Sequence, residues 1–112
     1  MYTYTTNPEP PKEPVTAPVE GKKFDAGKLR HSLIPPGALN EIIAVLEHGA
    51  SKYGEHNWKH VDDAHTRYYD AAHRHLADWR EVGWRDEESE CHHLAHAVCC
   101  LMFLMALDRE NK

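Results

Sequence analysis

The sequence predicts an all-α fold: a small bundle of three to four helices with an ordered N-terminal loop. Three observations predict it. Apolar residues recur at spacings of three and four in three separate stretches. Gly54 and Gly83 stand where two of those stretches should stop. No stretch alternates apolar and polar residues as a half-buried strand does, and there is no internal repeat.

The first element is an arm. Residues 1–20 hold five of the seven prolines and almost nothing to bury, so they read as disordered or extended. Residues 21–112 form the single folding unit, enough for a thin core and therefore suited to a homo-oligomer. Pro35 and Pro36 precede a first helix from about Gly37 to Tyr53, with Leu39, Ile42, Ile43, Leu46, Ala50 and Tyr53 as its apolar stripe. A loop rich in Asn, His and Trp leads to a second helix, Ala64 to Val82, carrying Tyr68, Tyr69, Ala72, Leu76 and Trp79. The third helix is expected from Ser89 to Arg109, with Ser89 as N-cap and acidic residues before it. It is apolar nearly all round from Leu94 to Leu107, which places it centrally or at a subunit interface.

Composition narrows the function classes. The net charge of −5, with scattered cations, argues against binding a nucleic-acid polymer. No early apolar run suggests a signal peptide, and Ala97 to Leu107 is too short to span a bilayer. Three cysteines, two of them adjacent in an apolar helix, fit a reducing setting, so a cytoplasmic location is expected.

The polar residues fall into two clusters. On the first helix Glu41, His48 and Lys52 share a stripe, with Glu41 suited to a metal and His48 and Lys52 to an anion. The alternative for this stripe is a solvated face. On the second helix Arg74 and His75 adjoin a buried face, and Asp78 lies one turn on. On the third, His93 and His96 at i and i+3, or His92 and His96 at i and i+4, can reach one metal. Asp86, Glu87, Glu88 and Glu90 stand just upstream. Such a mixture accommodates Mn²⁺, Fe²⁺, Co²⁺ or Zn²⁺, whereas Mg²⁺ prefers oxygen. Cys99 and Cys100 read as core thiols. In the early loop Lys22, Lys23, Lys28 and Arg30 surround Gly27, without the spacing of a P-loop. Trp58 and Tyr53 offer a stacking face for a base, and Asn57 and Asn40 hydrogen-bonding groups for adenine or guanine.

Five ordered blocks carry a resemblance: Lys23 to Lys28, Leu33 to Leu39, Gly49 to Trp58, Arg74 to Trp79 and Asp86 to Ala97. They resemble the phage dATP/dGTP diphosphohydrolase N-terminal domain family, related to the all-helical MazG-like nucleotide pyrophosphatases. The resemblance implies a helical nucleotide-binding domain over residues 21–112, working in the host cytoplasm. It implies metal-dependent pyrophosphohydrolysis of purine deoxynucleoside triphosphates, with Mg²⁺, Mn²⁺ or another divalent transition metal as cofactor. The site it suggests has Glu41, Glu88 and His93 as catalytic groups. Glu41, His75, Glu88, His93 and His96 lie near the metal, with Asp86 orienting a ligand. Lys28, Lys52 and Arg74 contact phosphates, and Asn57 and Trp58 complete substrate binding. MazG-like enzymes pair Glu-x-x-Glu with Glu-x-x-Asp, whereas here Ala44 and Val45 follow Glu41 and His93-x-x-His96 takes the second place. Two alternatives follow: a non-catalytic protein that sequesters a nucleotide of host defence signalling, and an interaction protein built on the third helix.

Overall fold

A computed structural model describes residues 21–110, so the proline-rich arm expected at 1–20 lies outside the described residues. Three helices carry the fold: α1 (Ala38–Tyr53), α2 (Ala64–Glu81) and α3 (His93–Glu110). Short 3-10 turns occupy His31–Leu33 and Asn57–His60. Among the described residues there is no strand, only an isolated antiparallel bridge between Arg85 and His92. No described helix is long and apolar enough to cross a membrane.

α1 begins after Pro-Pro-Gly because Gly37 supplies a left-handed backbone, φ 82°, that turns the chain into the helix. It ends at Gly54, φ 95°, whose N–H donates to the Ala50 carbonyl. α3 lies against both other helices, most extensively against α2. Small residues make that approach possible: Ala44, Ala72, Ala95 and Ala97 are buried.

The core centres on Val45, Ala95 and Cys99, flanked by Ile42, Leu46, Cys91 and Phe103. Cys99 is 2% exposed. Its thiol donates to the Ile42 carbonyl at 3.5 Å, and burial pushes its pKa up to about 12. Both Cys99 and Cys100 are buried free thiols, in keeping with the sequence reading.

Three expectations need correction. α3 starts at His93, not Ser89. The acid-rich run closes a tight loop instead, in which the Asp86 carboxylate accepts the Ser89 N–H at 2.8 Å and the Ser89 hydroxyl at 2.9 Å. The Asp86 N–H donates to the Cys91 carbonyl, and Glu90 sits at φ 63°. Ser89 therefore bonds back to Asp86 rather than forward to a helix N-terminus. The apolar stripe of α1 is also turned from expectation. Ala44 and Val45 are its buried residues, while Leu39 and Ile43 are exposed. On α2 only Ala72 is buried, and Tyr69, Leu76 and Trp79 are exposed.

Candidate metal and nucleotide site

Packing three helices around small residues leaves a cavity of about 850 Å³ between α1, the 57–60 turn, α2 and α3. That volume suits a nucleotide-sized ligand. One end is polar. His75 reaches it from α2, Asp86 and Glu88 from the loop before α3, His96 from α3, and His48 and Lys52 from α1. An apolar and aromatic wall is formed by Trp58, Tyr68, Met102 and Phe103, while the Tyr53 ring lies beside the Lys52 ammonium at 5.0 Å.

The polar end is built around imidazoles. His75 and His93 face each other across the α2–α3 contact with Nδ1 atoms 3.0 Å apart. His93 is 5% exposed, the one buried polar side chain among the described residues. His75 also stacks on His96, with centroids 4.4 Å apart and planes 8° from parallel. His96 Nε2 lies 2.6 Å from Ser89 Oγ and 3.8 Å from Asp86 Oδ2. A serine hydroxyl has one proton to give. When Ser89 donates it to Asp86, His96 must donate its own Nε2–H to Ser89, and that nitrogen is then occupied.

Protonation follows from these contacts. Burial lowers the pKa of His75, and the neighbouring His93 lowers it further. Burial, then His75, brings His96 down to about 4. Burial alone would raise Asp86. The Ser89 N–H and hydroxyl, with His96 and His75, outweigh it and leave the carboxyl below its usual value. At neutral pH the cluster therefore pairs two uncharged imidazoles, His75 and His96, with a carboxylate. Uncharged imidazole and ionised carboxylate are the forms that ligate a metal.

The donor set fits a divalent ion. Ligand atoms of His75, Asp86 and His93 all lie within 4.8 Å of one another. Two nitrogens each about 2.1 Å from one ion sit roughly 3.0–3.4 Å apart at the usual ligand angles, and the His75–His93 separation is 3.0 Å. The same separation also serves a hydrogen bond between two neutral imidazoles, one of them donating. The Asp86 carboxylate beside them makes the pair a candidate cation site.

Lys52 and His48 form a second centre. The Lys52 ammonium is paired with Glu88, and His48 Nε2 lies 4.0 Å from the same carboxylate oxygen. Each partner strengthens the charged form of the other: Glu88 raises the Lys52 pKa and Lys52 lowers that of Glu88.

The structure thus brings His75, Glu88, His96, Lys52, Asn57 and Trp58 around one cavity, with His93 joined through His75. It does not bring Glu41, Lys28 or Arg74 there. Glu41 is half-buried near the start of α1, Lys28 is exposed in the N-terminal loop, and Arg74 is exposed on α2. Glu88 stands with Lys52 rather than in the His75–Asp86–His93 group. Trp58 has one ring face stacked on Phe103, centroids 5.1 Å apart and planes 9° from parallel, so that face is closed to a base. The sequence reading gave Ser89 to a helix N-cap, whereas the structure bonds it to Asp86 and sets it 2.6 Å from His96 Nε2. The signal was present in Asp86-x-x-Ser89, the spacing of a side chain that folds its own turn.

Residues 18–112 match the family model described as dATP/dGTP diphosphohydrolase, N-terminal. A dATP/dGTP diphosphohydrolase of Salmonella phage PMBT28 is 40% identical over 87 residues. Those residues are 78% of this chain and 29% of that protein, so the chain spans less than a third of its relative's length. No solved structure matches. With all of its described helices inside the family match, the chain belongs to the dATP/dGTP diphosphohydrolase N-terminal domain family.

Proposed function

We propose that this chain binds a purine deoxynucleoside triphosphate in the inter-helix cavity and hydrolyses it with a divalent cation held by His75, Asp86 and His93. The observation that carries this reading is that His75 and Asp86 line a nucleotide-sized cavity together with Lys52 and His48, with His93 behind His75 at 3.0 Å. The descriptions of the family and of the Salmonella phage PMBT28 relative support a purine deoxynucleotide as the ligand. A divalent ion at this site would neutralise phosphate charge and make water more acidic.

The chain's own residues supply the rest. Lys52 offers positive charge, and His48, one turn before it on α1, an N–H donor to phosphate oxygens. Ser89 holds His96, and the stacked His75–His96 rings fix the orientation of His75 towards His93. The aromatic and methionine wall excludes water from the base and sugar, and Asn57 presents an amide to a base edge.

The test is a panel assay with each deoxynucleoside and ribonucleoside triphosphate in Mg²⁺ or Mn²⁺, with products separated by chromatography. The expected result is release of dAMP or dGMP with pyrophosphate, lost on adding a chelator. Intact nucleotides that stay bound to the protein would replace hydrolysis with the sequestering alternative. The site would then be a binding pocket.

The chain also works as a homo-oligomer on this account. Leu94, Val98, Leu101 and Met105 follow one another on α3 at spacings of four, three and four, the seam of a helix pair. Leu101 is 49% and Met105 61% exposed, on a helix whose other faces are covered. Light scattering is expected to give at least a dimer mass. Leu101→Glu with Met105→Glu should return it to the monomer mass, and a monomeric parent protein would contradict the assignment.

A further inference from the structure

The geometry points to Glu88 as an internal competitor for a phosphate subsite made by Lys52 and His48, displaced when a polyphosphate enters. The inference rests on the nucleotide reading of the cavity and adds a specificity-determining residue to it.

Charge inside the cavity drives the argument. Among the described residues that line it, Lys52 is the only Lys or Arg, against four carboxylates, Glu47, Glu55, Asp86 and Glu88. A polyanion entering this space therefore has one permanent cation to meet. That cation is already engaged by the Glu88 carboxylate. His48, the nearest further donor, faces the same Glu88 oxygen at 4.0 Å. Glu88 holds the place that a phosphate oxygen would take.

Glu88 is not needed to shape its loop. The Asp86 side chain fastens that loop through Ser89, the Asp86 N–H bonds the Cys91 carbonyl, and Arg85 pairs with Glu90. The side chain of Glu88 is 61% exposed. A carboxylate that leaves Lys52 therefore swings into water without stranding a buried group. An exposed ion pair is weak, and a phosphate chain brings more charge and more acceptor oxygens to the same ammonium. The polyphosphate wins the exchange, while singly charged anions compete with Glu88 on nearly equal terms. The pair thereby favours polyphosphates over small anions.

The test is calorimetric titration of sodium tripolyphosphate into the intact protein at low salt with a chelator present. Wild type, Glu88→Gln, Glu88→Ala and each combined with Lys52→Met are compared. Both Glu88 variants are expected to bind about two- to five-fold more tightly than wild type, the worth of an exposed ion pair expressed as a ratio. That gain should vanish in the Lys52→Met background. Unchanged or weaker binding in both Glu88 variants would overturn the inference, as would no detectable binding in any protein. A gain that persists without Lys52 would also overturn it, since it would reflect net charge alone. The nucleotide assay separates the two readings. Tighter tripolyphosphate binding without turnover would keep the subsite and remove the hydrolase, and turnover with no Glu88 effect on binding would do the reverse.

Discussion

Replacing His93 with alanine is expected to lower metal affinity and nucleotide turnover by at least about a hundredfold. The reasoning starts from placement: at 5% exposure, the His93 ring is held by packing, with its Nδ1 3.0 Å from that of His75. Losing a partner that merely orients a metal ligand costs about 10–100-fold, so losing a ligand should cost no less. Alanine also leaves the His75 nitrogen without its neighbour, at a cost of about 1–3 kcal/mol in stability. His93→Gln separates the two effects, since it retains a polar group of similar reach and should preserve more of the stability than of the metal affinity. Turnover and Mn²⁺ titration on both variants, with urea unfolding beside them, measure the split. Near-normal metal affinity in His93→Ala would remove His93 from the site.

The second large effect concerns the cavity wall. Phe103→Ala is expected to destabilise the protein by about 3 kcal/mol, towards the low end for a phenylalanine that is only partly buried. Phe103 stacks on Trp58 at 5.1 Å, meets Tyr68 at 5.1 Å in a tilted arrangement, and borders the Val45–Ala95–Cys99 core. It therefore joins the 57–60 turn, α2 and α1 through one ring. Without it Trp58 has no ring beneath it, and the apolar end of the cavity should collapse or flood. Urea unfolding should show the loss of stability. Nucleotide affinity should fall with it even at low temperature, where the variant stays folded. A change below about 1 kcal/mol would mean that the aromatic contacts are not what hold the turn in place.

Much of this architecture could be read from the chain because local signals agreed with the packing. Gly54 ended α1 as its position after Tyr53 suggested, and the apolar periodicity named all three helices. The start of α3 was misread because Asp86, Glu87, Glu88 and Ser89 resemble a capped helix N-terminus. Only the backbone shows that Asp86 folds back onto Ser89. His75 and His93 each stand out in the sequence as candidate ligands, but their meeting depends on how α2 and α3 pack, which no single-helix pattern encodes.

Glu41 shows the opposite limit. It shares a helix face with His48 and Lys52, yet it lies eleven residues before Lys52. That is a rise of about 16 Å along the axis. Glu88, on the loop before α3, meets α1 at Lys52 and His48, and Glu41 does not line the cavity they share. Trp58 was expected to present a stacking surface, and one of its faces went to Phe103 instead, a partner 45 residues away in sequence that no local pattern could announce.

The most direct test of the central claim is to locate the ion itself. Crystals grown with Mn²⁺ and measured near the manganese absorption edge should show an anomalous peak between His75, Asp86 and His93, with Glu41 well away from it. A peak elsewhere on the chain, or none in protein that still turns over dATP or dGTP, would contradict the account.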